Sequence, residues 1–495
     1  MTPTLLILAA ALSLFPSGPT AADPTSSRML AALSSVKPEA IRVDVEFIAS
    51  DDLAGRDTPS EGLRTAARFL RSRLERLGWK PGAKDGWFHE YPLEHRVLDE
   101  EQSKVEWRAK GGAGTLRFGV DYFLPGLRDI TRLDTAGAVV FAGDGSKEDL
   151  GSGRVEGKWA LVHDAGGELS RITRDARRAK AKGLIVAPGP KYAGEDYAAR
   201  YADVLARQRK GSVAYPRPAK EAAADEREER EAFPTLLLTQ PAAAALLAAA
   251  QKPATPAKGA DLGITLSETR RLGGDDGRIL VENVVGWWPG SDPKRAKECI
   301  LLSAHYDHVG VDARGQIHNG ADDNGSGTTL LLSVAEALAE HGPLERSVMI
   351  IWVSGEEKGL WGSKAFAENP WFPDGAKPVG NINIDMVGRN APDKLLVTPT
   401  KERAKDYNEL VKIAEKLAPL EGFPKLGNAD QYYERSDHYM FARLGIPVMF
   451  LFSDIHEDYH RPGDDPEKLD YDKVSRVARL VLRMLDALDR EKSLR

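Results

Sequence analysis

Between residues 264 and 490, short apolar runs alternate with amphipathic stretches, and that alternation leaves few folds open. Runs at 264–268, 279–287, 300–304, 348–353, 381–385 and 447–452 are short and mostly apolar, and they read as buried strands. Helical spacing intervenes at 327–340, 361–367, 404–417 and 471–490. Strands that are apolar on both faces and joined through helices predict an α/β fold, with a mostly parallel mixed sheet sandwiched by helices. Sheets of this kind gather their ligands beyond the carboxyl ends of the strands. Polar residues just past those ends are therefore the candidates for function.

The run at 300–304 ends in His305-Tyr306-Asp307, and the loop beyond it carries Asp322-Asp323 before a helix opens near Gly327. The run at 348–353 leads into Ser354-Gly355-Glu356-Glu357, the next ends in Asp385, and the last reaches His456, Tyr459 and His460. Seven of the ten histidines lie between His305 and His460, the span that also holds these acids. Carboxylates packed against the end of a sheet are costly without a positive partner. A divalent cation supplies one, and mixed imidazole and carboxylate donors suit zinc. Adjacent glutamates in a turn can divide the work, one binding metal and the other moving protons.

Placement argues against two other chemistries. The stretch His456-Glu457-Asp458-Tyr459-His460 has the spacing of a helical zinc site, but that spacing works only on a helix. Here a strand-like run precedes it and Pro462-Gly463 follow. No G-x-S-x-G elbow occurs, and the single cysteine, Cys299, sits ahead of its strand end, so neither a serine nor a cysteine nucleophile is supported.

At 495 residues the chain is long enough for two or more domains. A net charge of −6 gives no reason to expect a nucleic-acid partner. Residues 1–22 resemble a secretory signal, with an apolar core at 5–15 and small residues before a cleavage point after Ala22, although the usual basic start is missing. Export to a periplasm or the medium is expected, with no membrane association after cleavage. A lone cysteine excludes intrachain disulfides and a multi-thiolate metal site. Ahead of the alternating region, helical spacing at 38–48 and 61–77 is followed by Gly78 as a helix stop. Antiparallel strands are expected at 88–93, 104–108 and 115–120, and composition shifts near Asp134. Strand-like runs at 136–142, 158–163, 184–187 and 233–238 and helices at 170–182 and 241–250 follow, with a charged tract at 220–231 and a linker at 253–259.

The motifs Ala304-His-Tyr-Asp-His, Asn319-Gly-Ala-Asp-Asp-Asn-Gly-Ser-Gly, Ser354-Gly-Glu-Glu, Asn383-Ile-Asp-Met-Val-Gly-Arg, Ser436-Asp-His and Tyr459-His-Arg-Pro-Gly-Asp-Asp resemble the co-catalytic zinc aminopeptidases of the M28 family. The resemblance is to the branch with an inserted protease-associated domain. It implies a zinc-peptidase/phosphorylase-like fold, with an N-terminal part at 23–129, a mainly β insert at 130–262 and the catalytic domain at 263–495. It further implies two zinc ions per chain. Asp322 would bridge them, His305 and Asp385 would complete one, and Glu357 and His460 the other. Glu356 would be the general base, Tyr459 would stabilise the oxyanion, and Asp307 and Asp437 would support the ligands from behind. Family members commonly have a cis peptide between the paired aspartates, here Asp322-Asp323. The implied substrates are peptides with a free N-terminus. A carboxypeptidase or dipeptidase of the glutamate-carboxypeptidase type, and a glutaminyl cyclase, are alternatives on the same scaffold.

Overall fold

The computed structural model describes residues 23–125, 132–151, 153–164, 169–189, 205, 209, 211–216, 233–273, 279–312 and 314–492. The expected signal at 1–22 and the charged tract at 220–231 lie outside them. Contacts divide the chain into two compact units, Met1–His89 with Glu282–Arg495, and Glu90–Val281. Among the described residues, no helix is long and apolar enough to cross a membrane.

In the first unit, strands Ser347–Val353, Glu298–His305, Lys377–Ile384 and Val448–Phe452 lie side by side in that order, all parallel. Strand Ile279–Trp288 runs antiparallel along Ser347–Val353, and the short strand Leu396–Thr398 antiparallel along Val448–Phe452. The sheet is thus mixed, with a parallel centre. Its residues alternate between two apolar layers. Ile300, Leu302 and Ala304 join one, with Ile41, Leu331 and Val481 from helices Pro38–Ile48, Gly327–His341 and Tyr471–Arg490. Cys299 and Leu301 join the other, with Phe366 and Phe441 from helices Trp361–Glu368 and His438–Arg443. Burial on both faces is why these strands read as unbroken apolar runs.

Helix ends follow local chemistry. Ser60 accepts from Leu63 N at the start of Glu61–Arg76, and Gly78, just past its end, takes φ +84°. Helix Glu409–Leu417 starts later than the spacing at 404–417 predicts, because Asn408 accepts from Leu410 N and caps it there.

The strand order creates the crevice that matters. After Glu298–His305 the chain adds Ser347–Val353 on one side, then crosses to lay Lys377–Ile384 on the other. Connections diverge at that point, and the carboxyl ends of the two inner strands open a gap between them.

The second unit has its own apolar core. Strands Arg132–Phe141, Trp159–Asp164, Gly183–Pro188 and Thr235–Leu238 are adjacent and parallel. Asp261–Gly273 runs antiparallel to both Arg132–Phe141 and Lys104–Ala109. That last pairing moves the boundary. An insert expected at 130–262 instead begins at Glu90 and ends at Val281, since the early strands belong with it.

Candidate metal centre

All four parallel strands deliver side chains to the crevice. His305 closes Glu298–His305, Asp385 follows Lys377–Ile384, Glu356 and Glu357 follow Ser347–Val353, and His460 lies in the turn beyond Val448–Phe452. His305 Nε2 is 3.2 Å from Asp385 Oδ1 and 3.3 Å from Asp323 Oδ1. On the other side, His460 Nε2 is 3.2 Å from Asp323 Oδ2 and 2.9 Å from Glu357 Oε2. Asp323 stands between two donor sets and turns one oxygen to each.

This corrects the aspartate expected to bridge. Asp322 points elsewhere: its Oδ1 accepts from Gly388 N at 2.6 Å, and its Oδ2 faces His456 Nε2 at 3.4 Å. The cis peptide is displaced in the same way, lying at Asp323-Asn324 and not at Asp322-Asp323. Asp464 sets this backbone. Its buried carboxylate accepts from the main-chain N–H of Asp322 (3.1 Å) and of Asp323 (3.0 Å). Residues 456–460 form a turn and no helix, and their two imidazoles face different aspartates, so the H-E-x-x-H spacing does not make a single site.

The remaining expected residues fall as follows. Glu356 N donates to Asp307 Oδ1 at 3.2 Å, and Thr58 Oγ1 donates to Asp307 Oδ2 at the same distance. His305 Nδ1 meets the main-chain oxygen of Asp307 at 3.2 Å, nearer than its carboxylate at 3.7 Å. Behind Asp385 the contact is made by Ser436, whose Oγ donates to Asp385 Oδ2 at 2.9 Å. Asp437 instead accepts from Ser363 Oγ at 2.6 Å. Tyr459 stacks on His460 with ring centres 3.8 Å apart. Arg389 pairs with Asp458 at 2.9 Å. His438 is buried against the Phe450 ring, apart from the acids.

Sequence reasoning missed His308, whose Nδ1 is 3.0 Å from Glu357 Oε1. A second histidine in Ala304-His-Tyr-Asp-His was the available signal. It also missed the role of Arg56. This fully buried guanidinium donates to the main-chain oxygens of Tyr306 (2.9 Å), Asn319 (2.7 Å), Gly320 (3.0 Å) and Ile48, tying the loop after the central strand to the loop before Asp323. Burial lowers its pKa to about 10, against the pull of Asp307, Asp323, Asp464 and Glu357. Arg56→Ala removes one donor from each of four carbonyls, and the urea midpoint should report a loss of at least about 2 kcal/mol. Arg56→Lys should recover only part of it, because an ammonium cannot reproduce the planar fork.

The electrostatics fit a cation. Burial alone would raise Asp323, yet His305, His460 and His308 hold its carboxyl well below the usual range. Burial would lower His460, but Asp323 and Glu357 push it up to about 10. Burial, with Glu357, Asp437 and Asp385 close by, pushes Glu356 well above the usual carboxylate range despite His305. Asp323 Oδ2 and His460 Nε2 are both buried and make no hydrogen bond, although they face each other at 3.2 Å. Ligand atoms of His305, Asp323 and Asp385, and of His308, Asp323 and Glu357, each cluster within 4.8 Å. Lone pairs converging on two points suit a bound metal, and the nitrogen and oxygen donor set suits zinc.

Residues 283–485 match the model of peptidase family M28. That segment is an M28 peptidase domain. It lies wholly within the first unit and holds every candidate metal ligand named above. The chain is 28% identical over 200 residues to a "Probable leucine aminopeptidase" of Trichophyton verrucosum, covering 38% of this chain and 54% of that protein. It thus spans about half the length of the curated relatives it matches. The fold is similar to that of an aminopeptidase from Aneurinibacillus sp. strain AM-1 (TM-score 0.54, 19% identity, covering 94% of this chain and 97% of that one). It is also similar to BSAP, a zinc aminopeptidase from Bacillus subtilis (TM-score 0.54, 18% identity, 91% and 95%).

Proposed function

We propose that this chain is an exported zinc aminopeptidase that removes N-terminal residues from peptides. The observation that carries the reading is Asp323, with one oxygen toward the His305–Asp385 pair and the other toward the Glu357–His460 pair. His305, Asp323 and Asp385 would hold one zinc ion, and Asp323, Glu357 and His460 the other. When bound, such a pair supplies Lewis acidity, making water nucleophilic at neutral pH and polarising the scissile carbonyl.

The chain's own groups do the rest. Glu356 Oε would accept the proton of the attacking water and return it to the leaving amine. Burial beside Asp323 and Glu357 keeps the Tyr459 phenol protonated. Its O–H can therefore donate to the negative oxygen that develops on the carbonyl. Phe450, Phe452 and Met386 line a cleft that also contains Asp323, Glu356 and Asp385. That apolar wall keeps the reacting groups away from bulk water. Export rests on the apolar run at 5–15 and its small-residue end.

A panel of amino-acid anilides, assayed with and without a chelator, tests this. The purified chain should carry about two zinc ions, lose hydrolysis on chelation and regain it with added zinc. N-acetylated substrates should stay uncut. Cleavage of a blocked N-terminus, or conversion of N-terminal glutamine to pyroglutamate, would overturn the aminopeptidase reading.

A further inference from the structure

Two imidazoles, not one, face Glu357. His460 Nε2 approaches Oε2 at 2.9 Å, and His308 Nδ1 lies 3.0 Å from Oε1 with hydrogen-bond geometry. The two rings meet edge to face with their centres 5.7 Å apart, each on a different oxygen of one carboxylate. His308 is completely buried, and its Nε2 has no hydrogen-bond partner. Nδ1 is thus the ring nitrogen placed to donate an N–H to Glu357. Its Nδ1 is 3.7 Å from Asp323 Oδ2, too far for a hydrogen bond, so the Nδ1–H belongs to Glu357.

The ring has little freedom to leave that pose. Its backbone N–H donates to Arg56 O at 3.2 Å. Gly320, at φ +61°, lies against its face, where a Cβ would come within 2.4 Å of His308 Cγ. Only glycine leaves room for the imidazole there.

We infer that His308 is a positioning residue which occupies Glu357 Oε1, so that Glu357 offers a cation one oxygen, Oε2, on the side of His460. This rests on the zinc reading given above. With Oε1 held, the Glu357–His460 position is set by three directed donors, Asp323 Oδ2, Glu357 Oε2 and His460 Nε2. The His305–Asp385 position uses the other Asp323 oxygen, Oδ1, and should depend on His308 far less.

The test is zinc affinity by competition with a chromophoric chelator, one equivalent at a time, on the full chain. An asparagine amide nitrogen sits where Nδ1 does and can donate to Glu357, whereas a glutamine amide nitrogen sits where Nε2 does. In His308→Phe and His308→Gln, one zinc equivalent should bind roughly 10–100-fold more weakly, the usual effect of losing a group that orients a ligand. Binding of the other equivalent should stay at its wild-type level. His308→Asn should restore the weakened equivalent to within a few-fold, and its melting curve shows that the variant is folded. Wild-type affinity in His308→Phe would overturn the inference, as would rescue by glutamine and not by asparagine. A wild-type chain that binds no zinc would overturn the metal reading instead, which separates the two failures.

Discussion

Glu356→Gln should reduce kcat by roughly 10²–10⁴-fold while zinc content stays at the wild-type level. The substitution keeps the size of the side chain and the Glu356 N–H bond to Asp307, so the turn after Ser347–Val353 has no reason to move. It removes only the capacity to accept a proton. Because the lost interaction belongs to the transition state, kcat and kcat/KM should fall together with KM little changed. A rise in KM at constant kcat would mean that Glu356 binds substrate and does not move protons. Loss of zinc in the variant would make it a ligand. Stopped assays on an anilide substrate, paired with metal analysis, distinguish these results.

The second large effect compares neighbours. Asp323→Asn replaces a charged bridge with a neutral amide, and zinc retention against a chelator should weaken by more than about 100-fold, beyond the effect of an outer group. Activity should fall at least as far. Asp322→Asn should keep both metal equivalents, because an amide oxygen can still accept from Gly388 N. The two variants have the same chemistry one residue apart, so a reversed outcome would return the bridge to Asp322.

That contrast marks where the sequence ran out. The parallel strands were legible because burial on both faces leaves few polar positions, as in Ser347–Val353, where all seven residues are buried and six are apolar. His305, Glu357, Asp385 and His460 were legible because each comes after a strand end, where the fold collects chemistry. Asp322 and Asp323 were indistinguishable, being the same residue in succession. Which one faces inward depends on the turn at Asp323 and Asn324, whose φ/ψ leave the helical region at −104°/94° and −121°/51°. No residue type encodes that choice. His308 and Arg56 were illegible for another reason: their partners are a carboxylate 49 residues away and carbonyls up to 264 residues away. The boundary at Glu90 was hidden likewise, since Lys104–Ala109 finds its partner in Asp261–Gly273, while the change of composition near Asp134 marks only the next strand.

The first unit is written in two pieces of chain, with the whole second unit spelled out between them. Arg56 meets Tyr306 and Gly320, which lie 250 and 264 positions later. At roughly 5–20 residues per second of synthesis, the early helices wait on the order of 10–50 s for those partners. During that delay Ile41, Val45, Leu70 and Leu74, all fully enclosed in the finished fold, lack the strands and later helices of the apolar layer they join. Helices Pro38–Ile48 and Glu61–Arg76 are therefore secured late, and a nascent chain halted before Tyr306 holds the Arg56 guanidinium with only the Ile48 carbonyl to clasp.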